Sequence, residues 1–139
     1  MFLVTADSNI YVSGFQFRGK PSQFLTLAAE GRFDLAITDH IVDEVTRALL
    51  EKFNWPEERI EQAQRVMGRI ARRVEPAQIV DIIKDDPTDN RILECAAEGK
   101  SDYIVTGDKH PLRVKTFGNA RIVKVAEFLE TLKRQGARR

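Results

Sequence analysis

The sequence predicts an α/β fold of the doubly wound kind: three layers, with helices on both faces of a central parallel sheet. Three observations predict it. Short apolar runs of β type alternate along the chain with segments whose apolar residues recur at helical intervals. Strands separated by helices need right-handed crossovers, which pair them in parallel and cover both sheet faces. Two of the strands end in an aspartate, Asp7 and Asp108, at the edge where open α/β sheets bind ligands.

The elements follow in order. Residues 2–6 form a strand, with Phe2, Leu3 and Val4 as its apolar run, and a loop through Gly14 and Gly19 leads to a helix at 21–30. A strand at 33–37 precedes a helix at 40–53, on which Ile41, Val42, Val45, Ala48, Leu49 and Phe53 share one face. Asn54 and Glu57 have capping-box spacing and open a second helix, with Ile60, Ala63, Met67, Ile70 and Ala71 at helical intervals through the arginine-rich stretch to Arg73. The apolar stretch Ile79 to Ile83 fits either element type. Asp86 as N-cap and Pro87 at the first helical position start a helix that runs to Gly99. Strands at 103–106 and 122–125 and a helix to about Lys133 complete the chain.

Length and composition fit one domain over residues 1–139: 42% of the residues are hydrophobic, and no apolar stretch is long enough to span a membrane. The N-terminus lacks the basic start and longer apolar region of a signal peptide, so a cytoplasmic location is expected. Cys95 is the only cysteine and reads as a core thiol. With 22 basic and 21 acidic side chains the net charge is +1, so attraction for nucleic acid must come from local clusters. Arg18 and Lys20 form one, Lys109, His110, Arg113 and Lys115 another. A basic tail at about 134–139 reads as solvating.

Four acids stand out from the rest by their surroundings. Asp7 and Asp108 terminate strands, and Gly107 can supply a tight turn before Asp108. Glu44 lies at the edge of its helix's apolar face, whereas Asp43 points away toward Arg47. Asp89 lies in the first turn of its helix, in the stripe of Ile92, Leu93, Ala96 and Ala97, while Asn90, Arg91, Glu94 and Glu98 take the other side. Converging carboxylates repel one another unless a cation sits among them. Hard oxygen donors and the absence of a Cys/His cluster point to Mg²⁺ or Mn²⁺, and to phosphoryl chemistry.

Ala6-Asp7-Ser8-Asn9, Glu44, Asp86-Pro87-Thr88-Asp89-Asn90 and Thr106-Gly107-Asp108-Lys109-His110 together resemble the PIN domain family. The likeness is strongest to single-domain prokaryotic toxin components of toxin–antitoxin pairs, similar to the virulence-associated protein C type. It implies a five-stranded parallel sheet and a metal-dependent ribonuclease acting on RNA, usually a homodimer, with an antitoxin protein as cognate partner. It assigns Asp7, Glu44, Asp89 and Asp108 to the acidic cluster that binds metal and catalyses, with Asn9, Ser8 and Thr106 as polar support. Ser8 stands where threonine is usual, and Lys109-His110 stand where many members carry another acid. Arg18, Lys20, Lys109, His110 and Arg113 are the candidate RNA contacts.

Other readings fit less well. A haloacid-dehalogenase-type phosphatase would need an aspartate where Asn9 stands, and neither a dinucleotide fingerprint nor a P-loop is present. Two histidines, His40 and His110, do not define an acid–base pair, and Phe53 and Trp55 read as packing residues. Two readings stay open beside the nuclease: a non-cleaving module that binds RNA or a partner, and a scaffold in which the acids serve only as caps.

Overall fold

The computed structural model describes residues 1–137. Its first strand, β1 (Leu3–Ala6), is apolar or buried along its length and lies inside the sheet, as an uninterrupted β-type run should. The chain continues through α1 (Ser8–Gln16), α2 (Lys20–Ala29), β2 (Asp34–Ile37), α3 (Asp39–Phe53), α4 (Glu57–Ile70) and β3 (Ala71–Arg73). After an irregular segment come a 3-10 turn at Pro87–Asp89, α5 (Asn90–Gly99), β4 (Tyr103–Val105), α6 (Lys109–Val114), β5 (Thr116–Phe117), β6 (Ala120–Val123) and α7 (Val125–Ala137). The strands stand in the order β3-β2-β1-β4-β6-β5. All neighbours pair in parallel except β5 and β6. The expected α/β class is therefore present, with six strands rather than five and one antiparallel edge.

This topology positions the site. From β1 the chain steps outward to β2 and β3, then crosses back to lay β4 on the opposite side of β1. Strand order reverses there, and a crevice opens beyond the C-terminal ends of β1 and β4. The Asp7 N–H donates to the Val105 carbonyl at 3.1 Å, extending the ladder one residue past β1 and drawing Asp7 against the exit of β4.

Alternation along the strands divides the core. Val4, Ala6, Val105 and Val123 join the larger cluster with α1 to α4 and with Phe128 and Leu132 of α7. Ile104 and Ile122 join a smaller one with Ile92, Leu93 and Ala96 of α5. Cys95 is fully buried, its sulfur 3.6 Å from the Thr5 hydroxyl, and burial pushes its thiol up to about 11. Trp55 is buried too, donating to Gln16 Oε1 at 2.6 Å beneath the Arg59 guanidinium, so its role is packing.

Several expectations need correction. The loop expected through Gly14 is α1; Gly14 fits a helix because α1 and α2 cross there, and a Cβ would stand 2.5 Å from Leu25 Cδ1 and 3.0 Å from the Pro21 carbonyl. Asn54 does not open α4. It closes α3 in the left-handed conformation at φ 52°, which asparagine tolerates better than most residues, and α4 starts after Pro56. Ala71–Arg73 leave the helix and pair with β2, too short an edge strand to show a period. The 122–125 strand lies at Ala120–Val123, and Gly118-Asn119 is the two-residue turn that folds β5 onto it. Helix α7 continues to Ala137, so the expected tail is helical that far; Arg138 and Arg139 lie outside the described residues.

The largest correction concerns α5. Asn90 and Glu94, expected to face away from the core, are 1% and 7% exposed. Residues 77–84 lie over that side of the helix as an irregular strap, with Val80 and Ile83 buried beneath it and Ile79 and Ile82 facing out. At the far end of α5, a Cβ on Gly99 would meet Ala36 Cβ of β2 at 2.7 Å. That neighbour is fixed to a central strand. Gly99→Ala should therefore cost about 1–3 kcal/mol in urea unfolding despite the better helix former, and an unchanged midpoint would show that α5 can shift freely.

Candidate functional site

The crevice is a cavity of about 530 Å³ whose walls include Asp7, Glu44, Asp89 and Asp108. Asp7 is delivered by β1 and caps α1: its Oδ1 accepts from the Ile10 N–H at 3.0 Å. Its Oδ2 accepts from the Thr106 hydroxyl, and Thr106 Oγ1 accepts in turn from the Asp108 N–H at 3.0 Å. One buried threonine thus ties together the two acids at the ends of neighbouring strands. Glu44 comes from the second turn of α3, with His40 Nε2 3.4 Å from its Oε1. Asp89 closes the 3-10 turn that leads into α5.

Crowding and burial perturb these carboxyls. Burial pushes Asp7 up to about 7, opposed by the Thr106 hydrogen bond and reinforced by the charge of Asp108. Burial, then the charges of Asp86 and Asp108, push Asp89 up to about 6. Glu44 is raised by burial, and His40 works against that shift. The acids feel one another across the cavity, a pattern that marks functional sites more often than structural ones.

Not every expected residue lies here. Ser8, Asn9, Lys109 and His110 line the cavity, and Thr106 lies buried behind it. Arg18, Lys20 and Arg113 are not among its lining residues; Arg18 is exposed between α1 and α2, Lys20 is exposed at the start of α2, and Arg113 lies 3.9 Å from Asp85. In their place α3 supplies Arg47 and Lys52, so Arg47 turns to the cavity instead of serving Asp43. The signal was available, since Arg47 and Lys52 lie three and eight residues after Glu44, on the same helical side. The sequence marks Asp86 as a cap only. It does cap the 3-10 turn, accepting from the Thr88 N–H at 3.2 Å, and it also lines the cavity.

The donor set is hard oxygen and suits a hydrated divalent cation held by one or two carboxylates with water. Among the described residues no three His, Cys, Asp or Glu side chains are arranged to hold an ion by themselves. Three of the cavity's carboxylates are engaged locally instead: Asp7 with Ile10 and Thr106, Glu44 with His40, and Asp86 with Thr88. No helix among the described residues is long and apolar enough to cross a membrane.

Comparison with curated proteins finds no match. A family model described as the PIN domain matches residues 4–110, a span that opens in β1 and holds all four acids of the cavity. The chain belongs to the PIN domain family, whose members are generally nucleases.

Proposed function

We propose that this chain is a metal-dependent endoribonuclease that hydrolyses RNA phosphodiester bonds, and that it serves as the toxin of a toxin–antitoxin pair. The observation that carries the nuclease reading is the pairing of Asp7 and Asp108 through Thr106 at the switch point, with Glu44 and Asp89 on the same cavity. Asp7 and Asp108 would hold Mg²⁺ or Mn²⁺, with Glu44 and Asp89 binding the ion or orienting water. When bound, such an ion lowers the pKa of its water and neutralises charge at the phosphate.

The chain's own residues account for the rest. Thr106 fixes the direction of Asp7 and the backbone of Asp108, so the two acids keep their spacing as substrate enters. Arg47, Lys52, Lys109 and His110 ring the same cavity and suit an RNA backbone passing over the acids. The toxin assignment, a homodimer and a cognate antitoxin rest on the sequence resemblance; a short upstream reading frame for a small DNA-binding protein would support them.

The test is a cleavage assay on structured RNA with Mn²⁺. Asp108→Asn is expected to lower the rate by roughly a hundredfold or more while the protein stays folded, and EDTA to stop cleavage. Full activity in either case would refute the proposal. The lack of a ready-made metal trio among the described residues favours one rival, a non-cleaving RNA-binding module. That module would show salt-sensitive RNA affinity with no metal-dependent product.

A further inference from the structure

The strap at 77–84 has no strand or helix to satisfy its backbone, and α5 does so with side chains. Glu98 Oε1 accepts from the Ala77 N–H at 2.9 Å, and Glu94 Oε2 accepts from the Val80 N–H at 2.8 Å. Asn90 Oδ1 accepts from both the Ile82 and Ile83 N–H groups, at 2.9 and 2.8 Å. The three side chains are four residues apart, so one side of the helix serves as a row of acceptors. Arg91 adds a donor to the Val80 carbonyl at 3.1 Å.

Asn90 differs from the other two because it also donates. Its Nδ2 bonds the Ile83 carbonyl at 2.9 Å and the Pro87 carbonyl at 3.0 Å. One buried amide therefore joins the end of the strap to the start of the 3-10 turn and closes a short loop. That loop carries Asp85 and Asp86, and Asp89 is the residue next to the amide itself. Asp86 and Asp89 line the cavity, and the loop's other approach from a helix is on the exposed Asp85, with His110 Nδ1 at 3.6 Å and the Arg113 guanidinium at 3.9 Å from α6.

We propose that Asn90 is a positioning residue: it touches no reacting atom, and it sets where Asp86 and Asp89 stand by clamping both ends of the loop that bears them. The proposal rests on the nuclease reading of the cavity. Glu98, at the opposite end of the strap, secures the same segment without reaching the site, and so supplies the control.

Hydrogen exchange and kinetics on the full chain decide the matter. In Asn90→Ala the amides of Ile82, Ile83, Thr88 and Asp89 should exchange at least tenfold faster than global unfolding explains, whereas Glu98→Ala should affect only Ala77. Asn90→Asp keeps the two accepted bonds and loses the donated pair, so it should free Thr88 and Asp89 while Ile82 and Ile83 stay protected; it also serves if the alanine variant does not fold. With Mn²⁺ and RNA, kcat of the folded Asn90 variants should fall at least tenfold with KM within threefold, and Glu98→Ala should keep kcat within twofold. Unchanged protection at Thr88 and Asp89, or an unchanged kcat in the folded Asn90 variants, would overturn the proposal. If the wild type cuts no RNA, the nuclease reading fails, and the exchange pattern alone decides whether Asn90 holds the loop.

Discussion

Asp7→Asn is expected to melt higher than the wild type near pH 8 without divalent ions, and to cut RNA on the order of a thousandfold more slowly. Both effects come from the same carboxylate. In the folded chain burial raises the Asp7 carboxyl from 3.8 to about 7, so the native state holds this proton more tightly than the unfolded chain does. The stability it contributes is fully present below about pH 4 and is lost as pH rises through 7. A shift from 3.8 to about 7 corresponds to at most about 4 kcal/mol between protonation states.

Asparagine has nearly the same shape and can still accept from Ile10 as the cap of α1, but it never ionises. The difference in melting temperature between variant and wild type should be near zero at pH 4 and grow toward pH 8. A divalent ion should raise the melting temperature of the wild type and not that of the variant. A variant that melts below wild type across this pH range would show that ionised Asp7 stabilises the fold, and so does not await a cation.

Phe128→Ala has the largest expected effect on stability. The ring is fully buried and meets Phe33 at 5.0 Å, Tyr103 at 5.5 Å, Phe24 at 5.6 Å and Phe2 at 6.3 Å between centroids, each edge-on. These partners come from α2, the turn before β2, β4 and the residue before β1, so one side chain of α7 joins four parts of the chain. Removing a buried ring of this kind costs about 3–5 kcal/mol, roughly 10 °C or more in melting temperature for a domain of this size. The cavity lies at the other end of these strands, so cleavage per folded molecule should be unchanged. A loss under about 1 kcal/mol would mean that the aromatic cluster closes over the gap.

How much of this was legible follows from the range of each signal. The buried strands around Val4, Leu35 and Ile104 announced themselves as apolar runs, and Asp7 and Asp108 followed because strand ends are local features. Glu44 followed from the period of α3. What sequence reading missed was set by distant contacts. Asn90 and Glu94 look like solvent residues on a helical wheel, and only the strap laid over them makes them interior. Gly14 looks like a loop residue until α2 is packed against it. Asp86 has one local job legible in the sequence, capping, which hides its second place on the cavity wall. Gly118-Asn119, by contrast, is a hairpin turn legible in the sequence, and it marks β5 as well as β6.

The ends of the sheet bear on how this chain can associate. β3 offers three residues, two of them exposed arginines, and β5 offers two. Neither border presents enough free backbone to template a strand from another molecule, and like charge on β3 would oppose a copy of itself. A partner that docks by adding a strand, or a filament grown from sheet to sheet, has no foothold at either border. Assembly with copies or with other proteins is accordingly expected through side chains on the helical layers, where single substitutions can abolish it without disturbing the sheet.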